Sequence, residues 1–188
     1  MEKKVRGTSL LGIVGYINDG LDATTRKRVL EKLPANKVDP KQIAPNDLYP
    51  LEEHNVIVQA IASSFDSPEK RYDVFVGCGR QIAGDAINSF LRLLIKFLKP
   101  SLFARKYGDF FRRAHTFGNV QAKDIGPHNF VLELSDMEGY EYVAPLTVGF
   151  VLHTLSAMGC ENVVAKEVTT PPSAPQVSAS YVIQVGWS

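Results

Sequence analysis

Apolar residues follow a helical period through the first two-thirds of the chain and a two-residue period near its end. The segment 51–65 places its apolar residues three to four positions apart, which is the spacing of an amphipathic helix. Between Asn129 and Ser135 every second residue is apolar, as in a half-buried strand. The pattern predicts a single α+β domain, with a helical part over about residues 1–115 and a sheet part over about 116–188.

Start and stop signals divide the helical part. Thr8 is placed to cap a first helix over about 9–17, and Asp22 to cap a second that Pro34 ends. Four prolines between Pro34 and Pro50 predict a loop. Ser67 before a proline favours another helix start, whose apolar pattern continues to residue 98, and Pro100 begins the next helix.

The last third of the chain predicts an antiparallel β-β-α-β-β unit from about Asn119 to Trp187. The predicted strands cover about 119–125, 129–135, 162–169 and 177–187, and the predicted helix covers about 142–158. Gly159 follows this helix as a natural C-cap, and a proline-rich turn at 170–175 joins the last two strands.

Four short segments carry a resemblance to a known family, and together they extend over nearly the whole chain. They are Lys4-Val5-Arg6-Gly7 before an apolar helix, Tyr49-Pro50-Leu51, Gly77-x-Gly79-Arg80, and Val185-Gly186-Trp187. The chain resembles the four-vinyl-reductase domain, whose relatives include the heme-NO-binding domains and small core subunits of vesicle-tethering complexes. It is similar also to a family of proteins of about this length that occurs in multiple copies in myxobacteria and related predatory bacteria. The resemblance implies a fold and a tendency to dimerise, and it implies no particular activity.

The resemblance raises the question of a cofactor. Some domains of the four-vinyl-reductase type hold a metal with cysteines of the last hairpin, but the region 169–181 has neither Cys nor His. His153 lies in the middle of an apolar predicted helix, where the heme-NO-binding relatives suggest an axial heme ligand. The Tyr-x-Ser-x-Arg signature of those relatives is absent. We therefore expect no metal and no cofactor and interpret His153 as a hydrogen-bonded core histidine or a histidine at the core boundary, with heme at His153 as the alternative.

The sequence lacks a catalytic constellation. Gly77 and Gly79 suggest a dinucleotide-binding loop, but Gly84 comes five residues after Gly79 where the loop needs three, and no βαβ unit surrounds it. We interpret these glycines as sites where two helices approach closely or where a helix kinks. Cys78 has only Arg80 as a local helper, whereas a thiol nucleophile needs a base. The protein is therefore predicted not to be an enzyme.

Basic residues concentrate in one segment although the net charge is only +1. Between Arg92 and Arg113 there are seven basic residues and one acid, Asp109. The candidate partner-binding residues in this segment are Arg92, Lys96, Lys99, Arg112 and Arg113. They favour an acidic protein or anionic lipid, and nucleic acid is the weakest of these partners because no nucleic-acid motif accompanies the charge. A plain solvated helix face remains the other interpretation.

Two functions remain open at this point. The leading hypothesis is a non-catalytic interaction or adaptor domain that acts as a homodimer and has a protein partner. The alternative is a sensor with a small apolar ligand or heme in a pocket between the helices and the sheet. Its candidate ligand-binding residues are His153, Cys78 and Phe110.

The compartment is predicted from the cysteines and the N-terminus. Cys78 and Cys160 are interpreted as reduced and buried core residues, which favours the cytoplasm. The N-terminal basic and apolar residues imitate a signal peptide, but Gly12 and Gly15 interrupt the apolar stretch.

Overall fold

The computed structural model of the chain describes residues 2–34, 39–87, 95, 98–168 and 180–188. The α-helices are α1 (Gly7–Gly15), α2 (Ala23–Glu31), α3 (Leu51–Ala62), α4 (Pro68–Ala86), α5 (Pro100–Ala114) and α6 (Val143–Ala157), and a π-helical turn (Tyr16–Gly20) and a 3-10 turn (Pro40–Gln42) accompany them. The strands are β1 (Lys4–Arg6), β2 (Leu48–Pro50), β3 (Asn119–Lys123), β4 (Asn129–Ser135), β5 (Val164–Glu167) and β6 (Ser180–Gly186). The predicted α+β class and the order of its two parts are confirmed. The predicted proline-rich turn lies outside the described residues.

Side-chain caps begin two of the helices, as predicted. The Asp22 carboxylate accepts hydrogen bonds from the backbone N–H groups of Thr24 and Thr25, both at 3.0 Å. The Ser67 hydroxyl accepts one from the N–H of Lys70 at 3.2 Å. Each bond satisfies a donor that a helix leaves unpaired in its first turn.

The start of α1 differs from the prediction. The helix begins at Gly7, so Thr8 lies within the first turn and does not cap it. The N–H groups of Gly7 and Thr8 instead donate to the carbonyls of Asp47 and Pro45, at 2.9 and 3.0 Å. A loop distant in sequence therefore does what a local cap was expected to do.

A small two-stranded sheet was missed by the sequence analysis, which predicted a loop up to Pro50. Strand β1 pairs antiparallel with β2, so that Val5 lies opposite Tyr49. Val5 also forms an isolated antiparallel bridge with His115, just after α5. The first strand thus joins the start of α3 to the end of α5. Strands of three residues are too short for an alternation of apolar and polar residues to predict this long-range pairing.

The C-terminal part forms a four-stranded antiparallel sheet in the order β3-β4-β6-β5. Phe130, Leu132 and Leu134 of β4 are at most 1% exposed, which confirms the predicted buried face. In the register, Phe130 pairs with Val185 and Leu132 with Ile183.

Helix α6 is buried on nearly all sides because it packs against α4 and against the sheet. Its contact with α4 depends on glycines. A Cβ atom at Gly149 would lie 1.9 Å from the Val76 carbonyl oxygen, and one at Gly79 would lie 2.1 Å from that of Leu146. Gly79 of α4 and Gly149 of α6 therefore allow the two helix backbones to meet, as the sequence suggested for Gly79, whereas Gly77 packs against the Tyr16 side chain.

Among the described helices, none combines the length and the apolar character that a membrane crossing requires.

We expect Gly149→Ala to destabilise the fold by about 3 kcal/mol, because its methyl group would collide with backbone atoms that cannot move aside. Gly15→Ala is the matched control. Its Cβ would meet Gln81 at an ordinary 3.6 Å, so it should be neutral or stabilise by up to about 1 kcal/mol. Urea denaturation of both variants measures the difference. Equal stabilities would contradict the packing described here.

Candidate functional site

A cavity of about 780 Å³ lies among the helices. Its walls come from the start of α1, the end of α4, α5 and α6, together with Tyr140 from the connection before α6. Among the described residues, none of the four-stranded sheet lines it. The predicted pocket between helices and sheet is therefore corrected to a pocket between helices.

Aromatic side chains of α5 and α6 form one wall of the cavity. Phe103 and Tyr107 meet edge to face at 5.5 Å between ring centroids, and Tyr107 meets Phe150 of α6 in the same way at 6.0 Å. Phe110, a predicted ligand-binding residue, also lines the cavity. Such a wall offers flat apolar surface with few polar groups, the usual lining of small-molecule sites.

His115 is the histidine of the cavity lining, and one of its ring nitrogens could bind a metal. It follows the last residue of α5, and its ring stacks on Phe111 at 4.0 Å between centroids. Nδ1 lies 3.0 Å from the Phe111 carbonyl oxygen, which can only accept, so Nδ1 carries the proton and donates. Nε2 is therefore unprotonated, and its electron pair accepts a hydrogen bond from the Tyr140 hydroxyl at 3.0 Å. Burial lowers the pKa of His115 to about 4, so the ring is neutral near pH 7.

The connection between β4 and α6 positions Tyr140. Three of its residues adopt positive φ angles: Asp136 (58°), Gly139 (79°) and Tyr142 (56°). These angles are uncommon for residues other than glycine, and here they turn the backbone sharply. The Tyr142 ring stacks on Phe75 at 4.0 Å between centroids, which holds the turn against α4. Tyr140 is thereby buried at 4% exposure beside His115.

His54 lies behind Tyr140, away from the cavity lining. Its ring meets the Tyr140 ring edge to face at 5.0 Å, and the side chain is fully buried. Nε2 of His54 has no hydrogen-bond partner among the described residues. Burial lowers its pKa to about 4, so His54 and His115 both flank Tyr140 as neutral rings.

Two of the predicted ligand-binding residues lie outside the lining. His153 is half-buried on α6, and its ring lies 3.5 Å from where a Cβ of Gly84 would be. Cys78 is fully buried on α4, and burial raises the pKa of its thiol, so the thiol stays protonated. Both cysteines are free, but Cys160 is only partly buried, contrary to the prediction.

The predicted basic face divides into residues with different surroundings. Arg92 and Lys96 lie outside the described residues. Lys99 is exposed, and Arg112 is exposed and pairs with Asp109. Arg113 is exposed too, but it also borders the cavity.

Among solved structures, the chain is similar to H-NOX (heme-NO-binding) domains, and the similarity extends over almost the whole chain. An oxygen-binding H-NOX domain related to soluble guanylate cyclases, in its oxygen complex, is 13% identical with a TM-score of 0.66, covering 97% of this chain and 95% of that one. An H-NOX protein from S. oneidensis in the Fe(II)NO state is 12% identical with a TM-score of 0.65, covering 94% and 98%. A structure that probes heme distortion in the H-NOX family is 14% identical with a TM-score of 0.67, covering 97% and 95%.

The chain therefore has an H-NOX-like fold, which confirms the heme-NO-binding part of the resemblance. The four-vinyl-reductase part stays a prediction. No family model matches the chain, and no curated protein matches it.

The expectation that the chain takes no cofactor is wrong in light of this likeness, because the structures that share its fold include heme proteins. The lining fits such a group in three respects. The cavity is large and apolar, His115 presents a neutral imidazole whose Nε2 is held by the Tyr140 hydroxyl and not by a proton, and Arg6 and Arg113 are among the lining residues. Among the described residues, no cluster of three or more His, Cys, Asp or Glu suggests a separate metal site.

Sequence reasoning missed His115, Tyr140 and Arg6 as site residues. His153 drew attention because it interrupts an apolar helix, whereas His115 follows a helix that ends in basic residues and looks solvent-exposed. The i, i+4 spacing of Phe111 and His115 was a local signal for their stacking. The pairing of β1 with the chain at His115, which brings Arg6 to the cavity, had no local signal.

We expect the free energy of unfolding to fall as the pH drops from about 6.5 to about 4. His54 and His115 resist protonation when folded, with pKa values of about 4, whereas the unfolded chain takes up those protons near pH 6.5. The contribution of the two neutral rings to the free energy of unfolding is thus fully present above about pH 6.5. It declines between pH 6.5 and 4, by up to about 3 kcal/mol for each ring. His54→Gln should make the decline shallower, and His128→Gln, which removes an exposed histidine, is the control. Urea denaturation from pH 4 to 8 tests this, and an unchanged slope in His54→Gln would contradict it.

Proposed function

We propose that the protein is a non-catalytic sensor domain that binds heme in the cavity between α4, α5 and α6, with His115 as the iron ligand. The observation that carries the proposal is a neutral histidine at a large apolar cavity, whose Nδ1 donates to a carbonyl and whose Nε2 electron pair accepts a hydrogen bond from the Tyr140 hydroxyl that a metal could replace. Its setting in an H-NOX-like fold supports the same conclusion.

The size and lining of the cavity support a flat apolar ligand. Its volume of about 780 Å³ falls within the range of roughly 300–1,000 Å³ that small-molecule sites occupy. The aromatic wall of α5 offers ring faces and edges on which a planar macrocycle can pack. Apolar surface of this extent inside a folded domain is stabilised when a ligand removes it from water.

The hydrogen bonding of His115 supports its role as ligand. Histidines that bind metals usually donate their other ring N–H to a carbonyl or carboxylate, which fixes the tautomer and orientation. The bond from Nδ1 to the Phe111 carbonyl provides this arrangement without any rearrangement. A heme held there by His115 would supply an iron able to bind a small molecule.

The Tyr140 hydroxyl competes with a metal ion for His115 Nε2. It donates to the same Nε2 atom that iron needs. Burial raises the pKa of Tyr140, so the hydroxyl keeps its proton near neutral pH. Binding at Nε2 therefore requires the hydroxyl to turn away, at a cost of about 1 kcal/mol for one neutral hydrogen bond.

The likeness favours the sensor hypothesis over the adaptor hypothesis. A homodimer and a protein partner for the basic segment stay predictions. The non-catalytic part of the proposal is supported by the full burial of the Cys78 thiol, which raises its pKa, and by the helical setting of Gly77 and Gly79.

Hemin titration tests the proposal. We expect the protein to bind hemin with a Soret band that shifts on reduction, and His115→Ala to lose the ligated spectrum. His153→Ala is the matched control and should keep it. Tyr140→Phe should bind about fivefold more tightly, because it removes the competing hydrogen bond.

The opposite pattern would contradict this assignment. If His153→Ala abolished the spectrum and His115→Ala retained it, the iron ligand would lie on α6. Circular dichroism of each ligand-free variant shows whether the loss of binding has a folding cause.

A further inference from the structure

We propose that the cavity selects ligands that carry a carboxylate and that Arg6 and Arg113 bind this group where α5 ends. The inference rests on the cavity being the ligand site of the proposed function. It adds the class of ligand, an apolar body ending in an acid group, and assigns the residues that recognise it.

Arg6 is fixed at the cavity by its own hydrogen bond. Its Nε donates to the Arg113 carbonyl at 2.8 Å, and strand β1 holds its backbone beside His115. This bond satisfies a carbonyl at the end of α5 and leaves the two terminal nitrogens of the guanidinium for another acceptor. A guanidinium held in one orientation can grip a carboxylate with two parallel bonds.

Neither arginine has a carboxylate partner in the part of the chain that the structure describes. No described Asp or Glu forms a salt bridge with Arg6 or Arg113, and the segments outside the described residues contain no Asp or Glu. The acid nearest in sequence to Arg113 is Asp109, which already pairs with Lys106 and Arg112. Two arginines thus lie in the lining of an apolar cavity without forming a salt bridge to any described carboxylate.

The negative charge of the cavity lining, the Asp85 carboxylate, lies away from the two arginines. Asp85 lines the cavity near the end of α4 and accepts a hydrogen bond from Gln81 at 3.0 Å. Its neighbour Gly84 lies against His153 in the second half of α6, whereas Tyr140 and His115 lie near the start of α6. The charges therefore favour an anionic group at the His115 end and disfavour one at the Asp85 end.

The start of α1 does not replace the arginines in this role. Thr8 and Ser9 line the cavity, but the N–H groups of Gly7 and Thr8 already donate to loop carbonyls. Recognition of the acid therefore depends on side chains, which substitution can test directly.

The first experiment compares pairs of ligands that differ only in the acid. Hemin is compared with hemin dimethyl ester, and oleate with oleyl alcohol, by quenching of tyrosine and tryptophan fluorescence. We expect the acid of at least one pair to bind about tenfold or more tightly than its neutral form, with a difference that shrinks as salt increases. Equal affinity within both pairs, or no binding of either acid, would overturn the inference.

The second experiment assigns the preference to residues. Arg6→Gln should reduce the acid-to-neutral ratio about tenfold, and Arg113→Gln should reduce it less, because its side chain is exposed to solvent. Arg105→Gln is the matched control, an exposed arginine of the same helix outside the lining, and should keep the ratio. A ratio unchanged in both cavity variants, or lowered equally in the control, would refute the assignment.

The two proposals fail in different ways. Loss of the Soret change in wild-type protein, with preferential binding of oleate, would refute heme and leave the carboxylate site standing. Equal binding of hemin and its ester, with ligation by His115 intact, would refute the carboxylate site and leave heme standing.

Discussion

The close contact between α4 and α6 is the constraint on which the rest of the structure depends. Gly79 and Gly149 let each helix backbone reach the other, which no side chain with a Cβ would permit. Helix α6 also packs against the four-stranded sheet, so this contact joins the sheet part of the domain to the helical part. Since both helices also line the cavity, the distance that the glycines set between them fixes one of its dimensions.

Strand β1 supplies the second constraint, because it assembles the chemistry of the site from distant parts of the chain. Three residues pair with β2 on one side and reach His115 on the other. As a result Arg6 lies beside the end of α5, where its side chain satisfies the Arg113 carbonyl. A strand this short has little stability of its own, so the site depends on tertiary contacts that hold both of its neighbours in place.

The sequence predicted those parts of the structure whose causes are local. The caps at Asp22 and Ser67, the alternating β4 and the C-cap at Gly159 each depend on a few neighbouring residues, and all are present. The site was predicted less well, because its residues come from β1, α5 and the connection before α6. Phe110 lies in the cavity lining, whereas His153, chosen for its apolar neighbours in sequence, is half-buried outside it, and the ligand-binding role of each stays a prediction.

The buried polar residues around Tyr140 carry an energetic cost that a plain core would avoid. The fully buried Nε2 atom of His54 lacks a partner among the described residues, a state that costs about 1–3 kcal/mol compared with a satisfied group. Tyr140 makes its hydrogen bond on the opposite side, to His115, at the cavity. Apolar side chains of similar size would fill this space without an unpaired atom. The three polar rings therefore support the proposed ligand site, in which hydrogen bonds would be exchanged when a ligand binds.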